Sequence, residues 1–456
     1  MERQDNNRSP IHIGTDRQLF VDNFWIAEAQ GVTQHLHEPV RREVVISPEH
    51  PWERGGVSYM VTFRDGDRFR AWYRCDPEMP IRGTRHPLIA YAESTDGIHW
   101  EKPRLGLIAF QDSKENNLVW AGPGNNMSPF RDGNPDALDE ERYKAIVRTG
   151  DVLALVSPDG LRWRLMQDAP ILTDQPFDSH NIAFWDAERE EYVAYTRGVA
   201  GKGNFINGVR WIRRTTSKDF RRWTPLELID TGETPFEHLY TNACVPYERA
   251  PGMYLMFPSR FVPEREPIPG WKYGSGVNDI VFMSSRDGLH FDRSFMEAFV
   301  RPGLDEGNWH ERGMYMERGI LQTSPDELSL YGMENWRLPT VHIRRFSLRT
   351  DGFVSARAGY AGGEFVTRPL IFTGDSLRLN FSTSAVGFVR VEIQDTEGHP
   401  QPGFALDDCP EIFGDAIDGT VHWESRGDMR LLAGQPVRLR FTLKDADLFA
   451  FRFQMS

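Results

Sequence analysis

Apolar and polar positions alternate with a period of two along most of the chain. FRAWYR (69–74), YKAIVR (143–148), YVAYTR (192–197), MYLMFPSR (253–260) and LSLYGME (328–334) each place apolar residues on one side of an extended strand. A second extended run follows several of them, such as LIAYAES (88–94), VLALVSP (152–158) and DIVFMSS (279–285). No segment shows convincing helical periodicity. The strands are punctuated by one recurring turn: STDGIHW with Asp96, SPDGLRW with Asp159, TSKDFRRW with Asp219, SSRDGLHF with Asp287 and a degenerate LRTDGFV with Asp351. Successive copies are separated by 63, 60, 68 and 64 residues. In each turn the Asp can bond its own backbone, and in four of the five copies the Gly that follows accepts positive φ. Repetition at this period, with four short strands per unit, predicts an all-β fold: a five-bladed β-propeller followed by a C-terminal β-sandwich.

The repeat sets the expected boundaries, with a propeller over 1–357 and a sandwich over 358–456. The latter is carried by LRLNFSTSA, FVRVEIQD, VRLRFTLK and LFAFRFQ. The strand RQLFVDNFWI (18–27) lies outside the five units and is expected to pack on the propeller. Asp22 within it reads as a structural hydrogen-bonding group.

Composition narrows the partners. A net charge of −13 and a pI near 5.5 disfavour nucleic acid and anionic membranes. The three cysteines, Cys75, Cys244 and Cys409, lie far apart and match no metal spacing. With an opening MERQDNNRSPIHIG that lacks a signal-peptide core, they predict a cytoplasmic protein, or a secreted or periplasmic one if a leader has been removed. No cofactor is expected, a structural Ca²⁺ is compatible with the acidic residues, and the sequence leaves self-association open.

In a propeller the first strand of each blade starts at the ligand face and the second returns to it. The strand starts carry Trp52 and Glu53, then Asn126 and Ser128, then Asp178, His180 and Asn181. They continue with Glu237, His238 and Asn242, and end with Trp309, Glu311, Arg312 and Glu317. The second strands end on Arg74, Arg148, Arg197, Arg260 and Glu334, with Trp336 just beyond. Carboxylates facing each other across a pocket can divide into acid and base for glycoside hydrolysis, and indoles stack on sugar faces. Asp178 is the expected base or nucleophile and Glu237 the expected acid, with Glu53 and Glu334 as further catalytic candidates. The expected substrate-binding residues are Trp52, Arg74, Asn126, His180, Arg197, His238, Asn242, Arg260, Trp309, Glu311, Arg312 and Trp336, with a carbohydrate as the partner. The arginines would equally suit a uronate, a sulfated sugar or phosphate.

These Ser-x-Asp-Gly-x-x-Trp repeats resemble the five-bladed glycosidases related to invertases, levanases and arabinanases, and the mannoside phosphorylases. RQLFVDNFWI, YAESTDGIHWEKPRLGL, NIAFWDAEREEYVAYTR, YLMFPSRF and GEFVTRPLIF are similar to a group of bacterial glycosyl hydrolases with a C-terminal sandwich. The resemblance implies a glycoside hydrolase, with a glycoside phosphorylase or a non-catalytic carbohydrate-binding propeller as alternatives. The invertase-type Trp-x-Asn-Asp-Pro-Asn, Arg-Asp-Pro and Glu-Cys motifs are absent. Arg64-Asp65-Gly66 and Arg131-Asp132-Gly133 are expected at hairpin turns, so no catalytic triad is carried over.

Overall fold

The computed structural model describes residues 9–78, 87–200, 208–425 and 427–455. The chain is all-β; among the described residues each helical segment is a single three-residue 3₁₀ turn. It divides into two compact units, one of residues 39–247 and 252–347, the other of 1–38, 248–251 and 348–456.

The first unit is a succession of antiparallel meanders. Strands Gly56–Asp65, Arg68–Asp76, Leu88–Ser94 and Leu118–Trp120 form one sheet in chain order. Asn125–Arg131, Tyr143–Arg148, Val152–Ser157 and Arg164–Leu165 form the next. Ile182–Asp186, Glu191–Ala200, Val209–Ser217 and Glu227–Leu228 form a third. The fourth meander is split across its middle. His238–Leu239, Ser259–Val262 and Val277–Ile280 make one part; Val245–Pro246, Tyr254–Met256, Met283–Ser285 and Phe291–Asp292 make the other. Hydrogen bonds from Phe257 N–H to Asn242 O (3.0 Å) and from Val281 N–H to Pro258 O (3.0 Å) bridge the break. The fifth sheet contains Met314–Met316, Leu321–Ser324, Glu327–Glu334 and His342–Arg349, closed at its edge by Val40–Ile46.

The repeated turn acts as a latch. Asp96, Asp159, Asp219 and Asp287 each accept two backbone N–H bonds through Oδ1, at 2.7–2.9 Å. Ser94, Ser157 and Ser285 each accept the glycine N–H three residues on (2.8–2.9 Å). The turn's carbonyl then receives an aromatic donor from the preceding sheet: Trp72 Nε1 to Gly160 O at 2.7 Å and Tyr195 Oη to Gly288 O at 2.6 Å. Tyr331 of the fifth sheet donates in the same way to Gly97 of the first. The first and fifth sheets also meet directly, through Arg318 N–H to Met60 O (3.0 Å) and Thr62 N–H to Arg318 O (2.9 Å). Gly288 is required: its φ is +79°, and a Cβ there would lie 2.9 Å from Tyr195 Oη. In the third copy Phe220 takes the glycine position at φ 60°, fully buried against Phe130 and Tyr192.

The second unit is built on two long strands, Ser376–Gln394 and Arg438–Gln454, which pair along their length within one eight-stranded sheet. Alternate residues Leu377, Leu379, Val389, Val391, Leu439 and Phe441 are buried in its core. The segment 18–27 belongs to this unit and not to the five-sheet unit. Gln18–Leu19 pair with Phe451 and Ala450, and Ile26–Gln30 pair with Glu364–Thr367. The reason is its apolar face, since Phe20 and Trp25 are buried in the core of this unit. Asp22 caps the intervening 3₁₀ turn, accepting Phe24 N–H at 3.2 Å. The edge position falls to 40–46 instead. The division at 347/348, not 357/358, also reassigns the degenerate fifth turn. There Asp351 is buried and bonded to Arg249 (2.8 and 3.0 Å) within the second unit.

Candidate active site

In each sheet of the first unit a non-glycine residue within or just before an early strand has a left-handed backbone: Tyr59 (φ 51°), Asn126 (51°), Ser179 (93°), Ala243 (44°) and Arg312 (64°). Strain of this kind costs on the order of 1 kcal/mol or more per residue and collects at functional sites. The five kinks aim neighbouring side chains at one another. Tyr240 and Tyr315 stack with ring centres 5.5 Å apart, and Tyr59 stacks on Tyr315 at 5.8 Å. His180 lies 5.3 Å from Tyr59, and Trp336 6.0 Å from it. Asn126 ties sheets together, accepting from Arg74 Nη1 (3.1 Å) and donating to Ser179 O (2.9 Å). Ser179 Oγ and Arg197 Nη2 both donate to Tyr240 O, at 2.7 and 2.6 Å.

Asp178 stands at the phenol end of Tyr240, whose hydroxyl donates to Oδ2 at 3.3 Å, with Arg148 Nη2 3.9 Å from Oδ1. Burial would raise its pKa, but Arg197, Arg148 and Arg312 outweigh burial and hold the carboxyl below the usual range. Glu317 is in the opposite condition. It is buried without a cationic partner, Oε1 has no hydrogen-bond partner among the described residues, and burial pushes its pKa far up despite backbone bonds from Met60 and Tyr59. Burial, reinforced by Arg318, lowers His180 to about 3, so its imidazole is neutral. Burial also raises the Tyr59 and Tyr315 phenols.

The remaining expected carboxylates are committed elsewhere. Glu53 is fully buried, accepting from Tyr73 Oη (2.7 Å), Lys102 Nζ (3.0 Å) and the amides of Glu49 and His50 (2.9 and 3.1 Å). It closes a 3₁₀ turn, and the neighbouring Trp52 is tied to Asn117 at 3.0 Å. Glu237, the expected acid, has both oxygens occupied, by Arg260 (3.0 Å) and Arg293 (2.8 Å). A carboxyl so bonded organises two guanidiniums at the wall of its cleft. Glu334 accepts from Arg41 (2.9 Å), Arg344 (2.6 Å) and His342 (3.2 Å). Glu311 is shared between Arg312 (2.9 Å) and Arg337. Arg74 is paired with buried Asp76, and Arg260 with Asp279 (2.8 and 2.6 Å). Asn242 bonds backbone carbonyls, and His238 Nδ1 accepts Arg210 N–H (3.1 Å). Asp65 and Asp132 sit at hairpins, bonded to Arg70 (3.0 Å) and Tyr192 (2.7 Å) respectively.

Asp178, His180, Arg197, Arg312, Asn126 and Trp336 therefore come together, while Glu53, Trp52 and Glu334 do not. Glu237 and Arg260 line a separate cleft of about 1010 Å³ with the half-exposed Trp309. Asn278, also in that cleft, accepts Arg312 N–H at 2.6 Å and links it to the central cluster. Tyr59, Tyr240, Tyr315 and Arg210 were not expected, and Glu317 was expected at the rim but not as a catalytic group. Among the described residues no group of three or more His, Cys, Asp or Glu is placed to hold a metal ion, and no helix is long and apolar enough to cross a membrane. The three cysteines are buried and unpaired.

No family model and no curated protein matches the chain. Similar solved structures include an N-acetylgalactosamine deacetylase from F. plautii in complex with blood group B trisaccharide (13% identity, TM-score 0.45, 70% of this chain and 96% of that one). A glycosyl hydrolase from Bacteroides ovatus is 15% identical with a TM-score of 0.41, over 76% and 99%. The catalytic domain of an α-L-arabinofuranosidase from Coprinopsis cinerea is 12% identical with a TM-score of 0.44, over 70% and 98%.

Proposed function

We propose that the protein is a glycoside hydrolase, with the five successive sheets as the blades of a five-bladed β-propeller and the second unit as a β-sandwich. The observation that carries the reaction is the contrasting placement of two carboxyl groups near Tyr59: Asp178 lies against the Tyr240 hydroxyl (3.3 Å) and Arg148 (3.9 Å), and Glu317 is buried with Oε1 unbonded among the described residues, so that cations lower the pKa of the first and burial raises that of the second. Groups whose surroundings drive their pKa values apart are suited to divide acid from base. In this reading Asp178 takes a proton from water as the oxygen attacks the anomeric carbon. Glu317 gives its proton to the departing glycosidic oxygen, and solvent exchange returns each group to its starting state. The tyrosine floor and Trp336 receive the apolar face of the sugar ring.

A screen of aryl glycosides and plant or algal oligosaccharides against wild type, Asp178→Asn and Glu317→Gln tests the assignment. Loss of a positioned acid or base costs about 10²–10⁴ in rate. Full turnover in both variants contradicts it. The alternative of phosphorolysis draws on the arginines and requires phosphate-dependent release of a sugar 1-phosphate.

A further inference from the structure

The cations around Tyr240 outnumber their partners. The guanidinium carbons of Arg197, Arg312 and Arg210 lie 4.4, 5.3 and 5.9 Å from the centre of that one ring. Arg148 stands at its phenol end beside Asp178. Among the described residues neither Arg197 nor Arg210 is paired with a carboxylate, and Nε and Nη1 of the buried Arg197 have no hydrogen-bond partner. Four guanidiniums thus face Asp178 and a share of Glu311, within a protein whose net charge is −13. Burial and repulsion from Arg197 and Arg312 lower the pKa of Arg210, so the cluster works against itself as it stands. Guanidiniums bind planar oxyanions through paired hydrogen bonds, and a low-dielectric setting strengthens the attraction.

We propose that the arginines around Tyr240 receive an oxyanion carried by the ligand, the carboxylate of a uronic acid residue in the glycan. A uronide joins in one molecule the two features of the site, a ring face for the tyrosine floor and a carboxylate for the guanidiniums. The proposal rests on the carbohydrate reading above. Inorganic phosphate offers the same chemistry from a different source.

Calorimetric titration of the full chain separates these readings, using oligosaccharides ending in glucuronate or galacturonate, their carboxyl-reduced neutral counterparts, and inorganic phosphate. The expected result is that a uronide binds about ten- to a hundredfold more tightly than its reduced counterpart, the range of a charge-assisted hydrogen bond. Arg210→Gln narrows that gap about tenfold without weakening the neutral sugar, and Arg210→Lys restores part of it. Thermal melting of both variants checks folding. Equal affinity for uronide and reduced sugar overturns the proposal and leaves the hydrolase reading intact. Binding of phosphate without any uronide also overturns it, in favour of phosphate. Tight uronide binding with no hydrolysis of any glycoside supports the oxyanion site and overturns the hydrolase reading.

Discussion

Asp178 and Glu334 are both ionised acids of the five-sheet unit, and their surroundings assign them different work. Glu334 is almost fully buried; burial alone would raise its pKa, but hydrogen bonds from His342, Arg344 and Arg41 hold it at about 2. With a folded value below the ordinary 4.5, it contributes stability at neutral pH that is lost as pH falls from about 5 towards 2. The shift corresponds to about 3 kcal/mol. Glu334→Gln, which leaves Arg41 and Arg344 without their charge partner, is expected to cost about 3–5 kcal/mol in urea unfolding at pH 7 and much less near pH 2. Asp178→Asn, which leaves the surrounding arginines without their carboxylate, is expected to lower the melting temperature, but by less than Glu334→Gln does because its side chain is about 38% exposed, while removing turnover. The sequence placed both acids at one rim, yet only the fold separates them. Which cations surround an acid depends on strands distant in the chain. The same holds for Glu317, whose isolation from charge has no sequence signature.

At the scale of elements, the repeated turn was the most legible feature, because its hydrogen bonds run between residues two or three apart. The latch that the turn forms was not legible, since Trp72, Tyr195 and Tyr331 lie in other sheets. Nor was the left-handed backbone within or just before an early strand of each sheet of the first unit, which falls on Tyr, Asn, Ser, Ala and Arg and not on glycine. Phe220 tests how strain and packing compete. Phe220→Gly relieves an unfavourable φ of 60°, about 1 kcal/mol, but empties a site against Phe130, Tyr192 and Trp223 at a cost of about 3–5 kcal/mol. A net loss of about 2–4 kcal/mol is therefore expected by chemical denaturation. A stabilised variant would mean that the latch, not the side chain, governs this turn.

For the molecule as a whole, period and composition indicated successive four-stranded units and an all-β chain. They misplaced segment 18–27 because alternation alone does not say which core an apolar face will meet; Phe20 and Trp25 fill the core of the second unit. The acidic net charge pointed away from nucleic acid and anionic membranes, whereas the central cluster concentrates the guanidiniums that suit a small anion, because a whole-chain sum averages over local fields. Asp178 and Glu317 divide the work of base and acid, and leaving-group dependence separates the two roles. kcat/KM is measured for wild type, Asp178→Asn and Glu317→Gln on a glycoside with a poor leaving group and on its 2,4-dinitrophenyl counterpart, which departs without protonation. Glu317→Gln is expected to fail on the poor leaving group and to be rescued on the activated one, while Asp178→Asn fails on both. Equal losses on both substrates for Glu317→Gln, or none on either, would contradict this division of roles.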